Sequence, residues 1–375
     1  MKKKFMMITI AGMLLAGCSE EVAESQDKVI FSSDFGKYYD NGMIYSTGNG
    51  MNSTARFLDY ASLETAPLCA VPNCTHAVSE SSCLAQVMGE HPIIVGDNVY
   101  YFTQNGKGGE IVETPEGPVF KMESKLMKAS LESSETEVVC EFTDALPRIN
   151  GGYAVIDNTI YFIGYDPDVN IEETGGASWG SGGGYDYMCS IDLGTGKYTN
   201  YGSICYVEDE YPAADNSSNA RLYGYYNGKL YITYEFLKEY PELTSEGAPA
   251  GMPEFTKFVY EFDPKAKQLT ESDMPVPMLI GEDYYAYRDE EVQLMKIISG
   301  DDTYTTPMEY IEGVYNGKLF YDSQWCALGE DTVHSLGEEY ENYEVVGYHD
   351  GAYVLFNNRK AIKLTEEELL ALDKE

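Results

Sequence analysis

Positive charge and imidazole are scarce in this chain: 25 Lys and Arg stand against 62 Asp and Glu, with 4 His among 375 residues. A formal charge of -37 argues against nucleic acid and against anionic lipid head groups as partners, since both draw cations. The acids are spread along the chain and not gathered in a tail, so a hydrated acidic surface accounts for most of them. Binding of cations or basic ligands stays open beside that reading. Long apolar runs are also lacking. The longest, Phe5 to Leu15, is too short to cross a hydrocarbon core of roughly 30 Å as a stable helix. No phosphate-binding loop, dinucleotide fingerprint or His-Glu-x-x-His pair is present. Gly176-Ala177-Ser178-Trp179-Gly180 spells the G-x-S-x-G pattern of serine hydrolases, but that serine needs an apolar strand before it and a helix after it. Here Asn170-Ile171-Glu172-Glu173-Thr174 precedes and Ser181-Gly182-Gly183-Gly184 follows. His91, His334 and His349 are isolated in sequence, and His349 sits beside a hairpin turn.

What is present begins with an address. Lys2, Lys3 and Lys4 open the chain, the apolar run follows, and Leu15-Ala16-Gly17-Cys18 closes it. Cationic start, short apolar stretch and small residues before a cysteine are the three parts of a secretion signal. The last four residues resemble the lipobox of bacterial lipoproteins, which implies diacylglycerol on the Cys18 sulfur and cleavage before it. Residues 1–17 are therefore expected to be a cleaved signal peptide, 18–30 a lipidated flexible tether and 31–375 a single folded domain. Loss of residues 1–17 leaves 22 basic against 62 acidic residues, a formal charge of -40. The expected location is the extracytoplasmic side of a bacterial cell membrane.

The chain carries 33 tyrosines and 36 glycines. Aromatic residues suit pleated, half-buried strands and glycine supplies turns. One pattern recurs: a short aromatic or aliphatic run, a two-residue turn, and a second such run. It appears at Tyr38–Tyr45, Val95–Phe102, Val155–Phe162, Leu222–Ile232, Val314–Tyr321 and Gly347–Val354, and more weakly at Leu279–Ala286. Asn-Gly and Asp-Gly take the left-handed backbone of a tight hairpin. Third and fourth strands follow, as at Tyr187–Asp192, Phe258–Asp263 and Thr136–Phe142. The expected fold is all-β, a β-propeller of about seven four-stranded antiparallel blades, with six as the alternative count and a β-sandwich as the competing architecture. The last copy has a short remainder, so a strand from the chain start is a candidate to complete that blade. Thr365–Leu372 reads as a short capped C-terminal helix.

With blade strands lettered A to D from the axis outward, the Asn-Gly turn joins A to B on one face. The B–C and D–A connections then lie on the other. The long insertions, 103–120, 164–186 and 233–256, all follow a B strand. They hold 13 acids against Lys107 and Lys238, with Tyr165, Trp179, Tyr234, Phe236, Tyr240 and Phe255 among them. Long loops grouped on one rim suggest a binding surface, and aromatic faces beside carboxylates suit sugars, cationic peptides and amines. Tyr165, Asp166, Asp168, Trp179, Tyr234, Phe236 and Tyr240 are its candidate ligand-binding residues; no catalytic residue stands out, because acid pairs such as Asp166 and Asp168 are common here.

Cys69, Cys74, His76 and Cys83 form the densest constellation. Three thiols and an imidazole match the ligand count of a structural Cys3His zinc site, though not the spacing of a standard finger. A disulfide with a leftover thiol competes with it outside the cytoplasm. Cys140, Cys189, Cys205 and Cys326 lie in strand-like runs and read as small core residues.

The lipobox, the Asn-Gly-Lys-Leu hairpins at Asn227 and Asn316, and the segment from Pro67-Leu68-Cys69 through Pro72-Asn73-Cys74-Thr75-His76 to Cys83-Leu84-Ala85 together resemble uncharacterised β-propeller surface lipoproteins of anaerobic Gram-positive bacteria. The resemblance spans the mature chain, and only its cysteine segment is specific. It implies a surface-attached, non-catalytic protein and supplies no ligand. The leading expectation is a lipid-anchored binding or scaffold propeller whose partners are the membrane, through Cys18, and an extracellular glycan, peptide or protein. The alternatives are a propeller-type glycosidase or lyase and a structural subunit of a surface assembly. Few histidines, and no arginine in the three insertions, count against a lyase acting on acidic sugars.

Overall fold

A computed structural model describes residues 29–33, 36–38, 41–47, 54–76, 83–87, 92–104, 110–114, 117–121, 124–133, 135–142, 146–148, 151–165, 186–204, 219–239 and 254–372. The chain opens with a hairpin, β1 (Val29–Ser33) and β2 (Gly36–Tyr38). Blade 1 follows as β3 (Gly42–Thr47), β4 (Thr54–Asp59) and β5 (Thr65–Pro67), and a helical turn, α1 (Leu84–Val87), leads onward. Blade 2 contains β6 (Ile93–Val95) and β7 (Asn98–Gln104), then an inserted hairpin of β8 (Glu110–Thr114) and β9 (Gly117–Lys121), then β10 (Ser124–Ser130) and β11 (Thr136–Phe142). After β12 (Leu146–Pro147), blade 3 is β13 (Tyr153–Ile156), β14 (Thr159–Tyr165), β15 (Asp186–Asp192) and β16 (Tyr198–Ile204). Blade 4 is β17 (Asn219–Tyr226), β18 (Lys229–Glu239), β19 (Glu254–Asp263) and β20 (Gln268–Glu271). Blade 5 is β21 (Pro277–Gly281), β22 (Tyr284–Arg288), β23 (Met295–Ser299) and β24 (Asp302–Thr306). Blade 6 is β25 (Gly313–Tyr315), β26 (Lys318–Tyr321), β27 (Gln324–Ala327) and β28 (His334–Ser335). Blade 7 is β29 (Glu344–His349), β30 (Ala352–Phe356) and β31 (Ala361–Thr365), and the helix α2 (Glu366–Leu372) ends the described chain.

The turns explain the hairpins. Asp157 and Asn158 (φ 48° and 63°), Asn227 and Gly228 (48° and 81°), Asn316 and Gly317 (49° and 71°) and Asp350 and Gly351 (51° and 80°) all put both central residues in the left-handed region. That geometry matches the twist of the flanking strands. The C strands end in a second recurring device that sequence reading missed. Asp192 Oδ1 accepts the N–H groups of Gly194 and Thr195 at 3.0 and 2.7 Å, and Asp263 Oδ1 those of Lys265 and Ala266, both at 2.8 Å. Side-chain oxygens of this kind imitate a backbone turn.

Seven buried clusters lie between the blades, one for each neighbouring pair around a closed ring of seven. Strand β14 shows why. Ile160 and Phe162 pack towards blade 2, while Tyr161 and Ile163, pointing the other way, pack towards blade 4. A strand buried on both faces reads as a continuous apolar run instead of an alternation.

Ring closure departs from expectation. Strand β1 does not complete blade 7. It pairs antiparallel with β13, Val29 opposite Ile156 and Ser32 opposite Tyr153, and β2 folds back on it. Because β13 is the innermost strand of blade 3, the hairpin lies on the axial side. Tyr38 and Gly42 therefore do not flank an A–B ladder, and among the described residues blades 1 and 7 have three strands each. Among the described residues no strand bridges them. The seam is side-chain packing: Tyr45 meets Phe356 edge to face at 4.8 Å, with Leu58, Tyr60, Val354 and Ala361 buried around them. The Tyr60 hydroxyl donates to the Val346 carbonyl. Gly347 leaves room for that ring, since a Cβ there would lie 2.5 Å from Tyr60 Cε2.

Helix α2 caps the groove between blades 6 and 7. Thr365 Oγ1 accepts the Glu368 N–H at 3.2 Å and Glu368 Oε2 accepts the Thr365 N–H at 2.8 Å, a reciprocal capping box. Leu369 is buried against Phe320, Trp325 and Tyr353. Glu366 pairs with Lys318 and accepts the Tyr353 hydroxyl at 2.7 Å. Burial raises the Glu366 carboxyl, but its bonds to Lys318 and Tyr353 win and hold it below the ordinary 4.5.

Two predictions follow from the seam and the cap. Gly347→Ala should destabilise by about 1–3 kcal/mol through overpacking, and Tyr60→Leu should relieve part of that cost in the double variant. Urea unfolding of the full cycle measures it, and strictly additive effects would exclude the proposed clash. For Glu366 a depressed folded pKa means stability that is present above the unfolded value and lost as pH falls. Glu366→Gln should therefore lower the urea midpoint at pH 7, with the gap to the parent closing as the pH drops below about 4; a gap independent of pH would show the carboxylate charge to be irrelevant.

Candidate metal centre and insertion face

The cysteine segment is the link from blade 1 to blade 2. Its entry is fixed by the Leu68 N–H, which donates to the Ala55 carbonyl at 2.9 Å. Pro72 and Asn73 then form a tight turn closed by the Cys74 N–H on the Val71 carbonyl at 3.2 Å, with Asn73 at φ 60°. Proline presets the first central position and asparagine tolerates the left-handed second, so the chain doubles back and brings Cys74 towards Cys69. Gln86 Nε2 donates to the His76 carbonyl at 2.7 Å. Cys83 immediately precedes α1, whose Leu84 and Ala85 pack with Ile44, Ala55 and Leu68. Local turns and a small core thus place all four side chains.

One ligand atom from each of Cys69, Cys74, His76 and Cys83 lies within 4.8 Å of every other. His76 Nδ1 stands 3.5 Å from Cys83 Sγ. Tetrahedral coordination with metal–sulfur and metal–nitrogen bonds of about 2.3 and 2.05 Å would separate such atoms by roughly 3.6 Å. The four side chains can therefore hold a metal ion. All the described cysteines stand as thiols, and Cys140, Cys189 and Cys326 are buried in the core. Burial pushes the Cys83 thiol up to about 12, reinforced by Cys74 and Cys69. Burial also acts to raise Cys69, but the N–H groups of Val71 and Leu84 and the thiols of Cys74 and Cys83 outweigh it and lower that pKa. A bound cation would deprotonate all three sulfurs, with release of protons.

The link leaves β5 and enters β6, so it belongs to the face bearing the B–C and D–A connections. The three insertions join β7 to β10, β14 to β15 and β18 to β19, hence the same face. Two are more ordered than loops. The first contains the β8–β9 hairpin, and in the third the ladder continues outward, with Glu235 opposite Lys257, Leu237 opposite Phe255 and Glu239 opposite Glu254. Lys257 and Glu235 pair at 3.5 Å across it.

The candidate ligand-binding residues separate. Tyr234 is 4% exposed in the core between blades 3 and 4, so its ring faces no ligand on the rim. Phe236 lies in β18 opposite Thr256. Tyr165 ends β14, half-buried, with the Arg148 guanidinium 5.0 Å over its ring. Arg148 also pairs with Asp186, whose other oxygen accepts the Ala220 N–H at 2.9 Å. Burial raises the Asp186 carboxyl against the pull of Arg148 and Ala220. Asp186 is thereby held by Arg148 within blade 3, and through Ala220 it ties blade 3 to blade 4. The one sequence signal for it was the scarcity of arginine, 5 residues in all. Asp166, Asp168, Trp179 and Tyr240, with Cys18, His91, Ser178 and Cys205, lie outside the described residues. His334 stacks on Trp325 at 4.2 Å, and His349 Nε2 approaches Asp350 at 3.2 Å. Among the described residues no helix is long and apolar enough to cross a membrane.

The class that the strand ladders define is the seven-bladed β-propeller. No protein-family model and no curated protein matches the chain. Solved structures similar to it include an uncharacterised protein of Listeria monocytogenes, with 9% identity over 69% of this chain and 80% of that one at a TM-score of 0.33. An oligogalacturonate lyase of Vibrio parahaemolyticus shows 9% identity over 92% and 96% at a TM-score of 0.32. The β-propeller domain of the trilobed protease of Pyrococcus furiosus, described as having an open velcro topology, shows 11% identity over 73% and 96% at a TM-score of 0.26. None of their activities carries over to this chain.

Proposed function

We propose that the protein is a lipid-anchored binding propeller of the extracytoplasmic membrane surface. Cys18 carries the lipid, and the insertion face holds an extracellular peptide, glycan or protein. The carrying observation is geometric. Strand β1 starts beside the Asp157-Asn158 turn, at the face opposite the insertions. A tether from Cys18 reaches the body on the turn face, which supports a reading in which the insertions and cysteine link are turned away from the bilayer. The β1–β2 hairpin against β13 occupies the axial side, where a propeller enzyme would gather its acids and histidines. That placement favours binding by the rim over catalysis at the axis.

Zinc is the ion we assign to the cysteine link, as a structural centre. Three thiolates and one imidazole form a closed, soft tetrahedral set with no open position for chemistry. Protein purified without added metal should contain about one equivalent of zinc, and Cys74→Ser should lose it and melt earlier. Under about a tenth of an equivalent, together with oxidised thiols, would replace the metal by a disulfide.

The wider reading is tested in cells and then in solution. The parent chain should take up radiolabelled palmitate and sediment with membranes, whereas Cys18→Ser should do neither. The Cys18→Ser protein, screened by thermal shift against oligosaccharides and basic peptides, should gain stability with one class. That gain should vanish when residues 166–185 are replaced by a short Gly-Ser linker. Palmitate uptake without Cys18 would overturn the anchor, and an unchanged gain after the replacement would overturn the insertion face as the binding surface.

A further inference from the structure

The insertion face has an apolar sector that the insertions do not include. Among the described residues eight large hydrophobic side chains are exposed, and five of them, Val276, Met278, Val292, Leu294 and Tyr310, belong to one end of blade 5 and its link to blade 6. Strand β21 starts there beside Val276 and Met278. Strands β22 and β23 are joined there through Val292 and Leu294. The connection from β24 to β25 carries Tyr310. In the strand order these are D–A and B–C positions, so they share the face of the long insertions. Single exposed hydrophobics are ordinary on a protein surface; five of the eight at the end of one blade are a concentration of the kind that marks a binding patch.

The patch is built on fixed backbone. Asp289 Oδ1 accepts the N–H groups of Glu291 and Val292 at 3.0 and 3.2 Å. The Gln293 N–H reaches the Asp289 carbonyl at 2.8 Å, and the Asp289 N–H reaches the Leu294 carbonyl at 2.9 Å. Lys296 pairs with the Asp289 carboxylate. Val292 is therefore held 54% exposed on a turn closed from three directions. The Tyr310 ring is steadied by Tyr321, centroid to centroid 5.4 Å. Groups fixed in place without burial lose little entropy when a partner covers them. Around them Glu290, Glu291, Glu309 and Glu312 are exposed.

We propose that this end of blade 5 docks a polypeptide segment that carries apolar side chains flanked by lysine or arginine. The proposal rests on the reading of the insertion face as a binding surface and assigns it a sector and a partner chemistry. The rim decides among occupants. Exposed glutamates attract a cationic flank, whereas a second copy of a chain of charge -37 brings the same acids back. A bilayer rich in anionic lipid is repelled likewise.

The test uses the Cys18→Ser chain at low ionic strength and a fluorescein-labelled peptide of alternating lysine and leucine, twelve residues long, read by fluorescence anisotropy. Saturable binding is expected. The double substitution Val292→Ser with Leu294→Ser should weaken it about tenfold or more without moving the melting temperature, as for truncation of central apolar anchors. An alternating lysine–serine peptide should bind the parent at least about tenfold more weakly, because charge alone leaves the patch uncovered. Equal binding of the two peptides, or an affinity untouched by the double substitution, overturns the proposal. So does a patch whose substitution instead abolishes self-association in sedimentation or adsorption to phosphatidylglycerol vesicles. Binding that survives the double substitution but is lost on replacement of residues 166–185 overturns the blade 5 site and leaves the broader reading standing. Binding that survives both changes overturns both.

Discussion

Burial of each blade on two faces is the constraint on which the rest of this molecule depends. A blade of three or four short strands cannot stand alone, because a small sheet with both faces in water buries too little apolar surface to offset chain entropy. Here each blade presents one row of side chains to the blade before it and the alternate row to the blade after it. Seven such contacts return the chain to its starting point. Stability is then nearest-neighbour in kind, as in other repeat proteins. The seam between blades 7 and 1 joins the two ends of the ring, and it is held by aromatic packing and the Tyr60 bond to Val346.

The diverted N-terminal strand has consequences for both ends of the molecule. By pairing with β13, β1 adds a layer on the axial side of blade 3 and fixes where the chain enters the body. The same diversion leaves blade 7 without a fourth strand from that source. Helix α2 covers part of the deficit, since Leu369 fills the groove between blades 6 and 7 and Glu366 engages Lys318 and Tyr353. The point of chain entry and the insertion face are thereby set at opposite sides of the ring through backbone pairing, with no special side chain required.

Six of the seven hairpins were legible: three because Asn227-Gly228, Asn316-Gly317 and Asp350-Gly351 report their own backbone, the others from a short polar turn between two apolar runs. The weak copy at Glu282-Asp283 was still found from its flanking strands. The first was misread for a physical reason: Asn41-Gly42 permits a turn, but whether Tyr38 pairs with β3 or with β1 is settled by tertiary competition, and β1 wins. Continuation of β18 and β19 into the third insertion was hidden because acidic and aromatic residues there read equally as a rim. Tyr234 failed as a rim residue for the related reason that one strand register decides between core and solvent. The cysteine quartet was legible as a set because its donors are rare and closely spaced. Its competition with a disulfide was not, since spacing does not say which sulfurs converge. The Arg148–Asp186 bridge lay beyond sequence reading, because its three blade segments meet only in the folded ring.

Placing the quartet in the ring gives it a role beyond ordering a loop. Among the described residues blade 1 has three strands, shares none with blade 7 and meets it through side chains alone. Its other side is where the Cys69–Cys83 link docks, with Cys83, Leu84 and Ala85 packed among Ile44, Ala55, Val99 and Ala129 of blades 1 and 2. A metal bound by the quartet would act as a cross-link where chain entropy is least compensated by burial. Holding the link fixes blade 1 against blade 2 and so sets the position from which Tyr45, Leu58 and Tyr60 can reach blade 7. Its loss would act twice, loosening the link directly and the seam at one remove. Opening should then start at the junction of blades 7 and 1, while blades 3 and 4, joined by the Ala220 N–H on the buried Asp186 carboxylate and by β1 lying against both, remain closed.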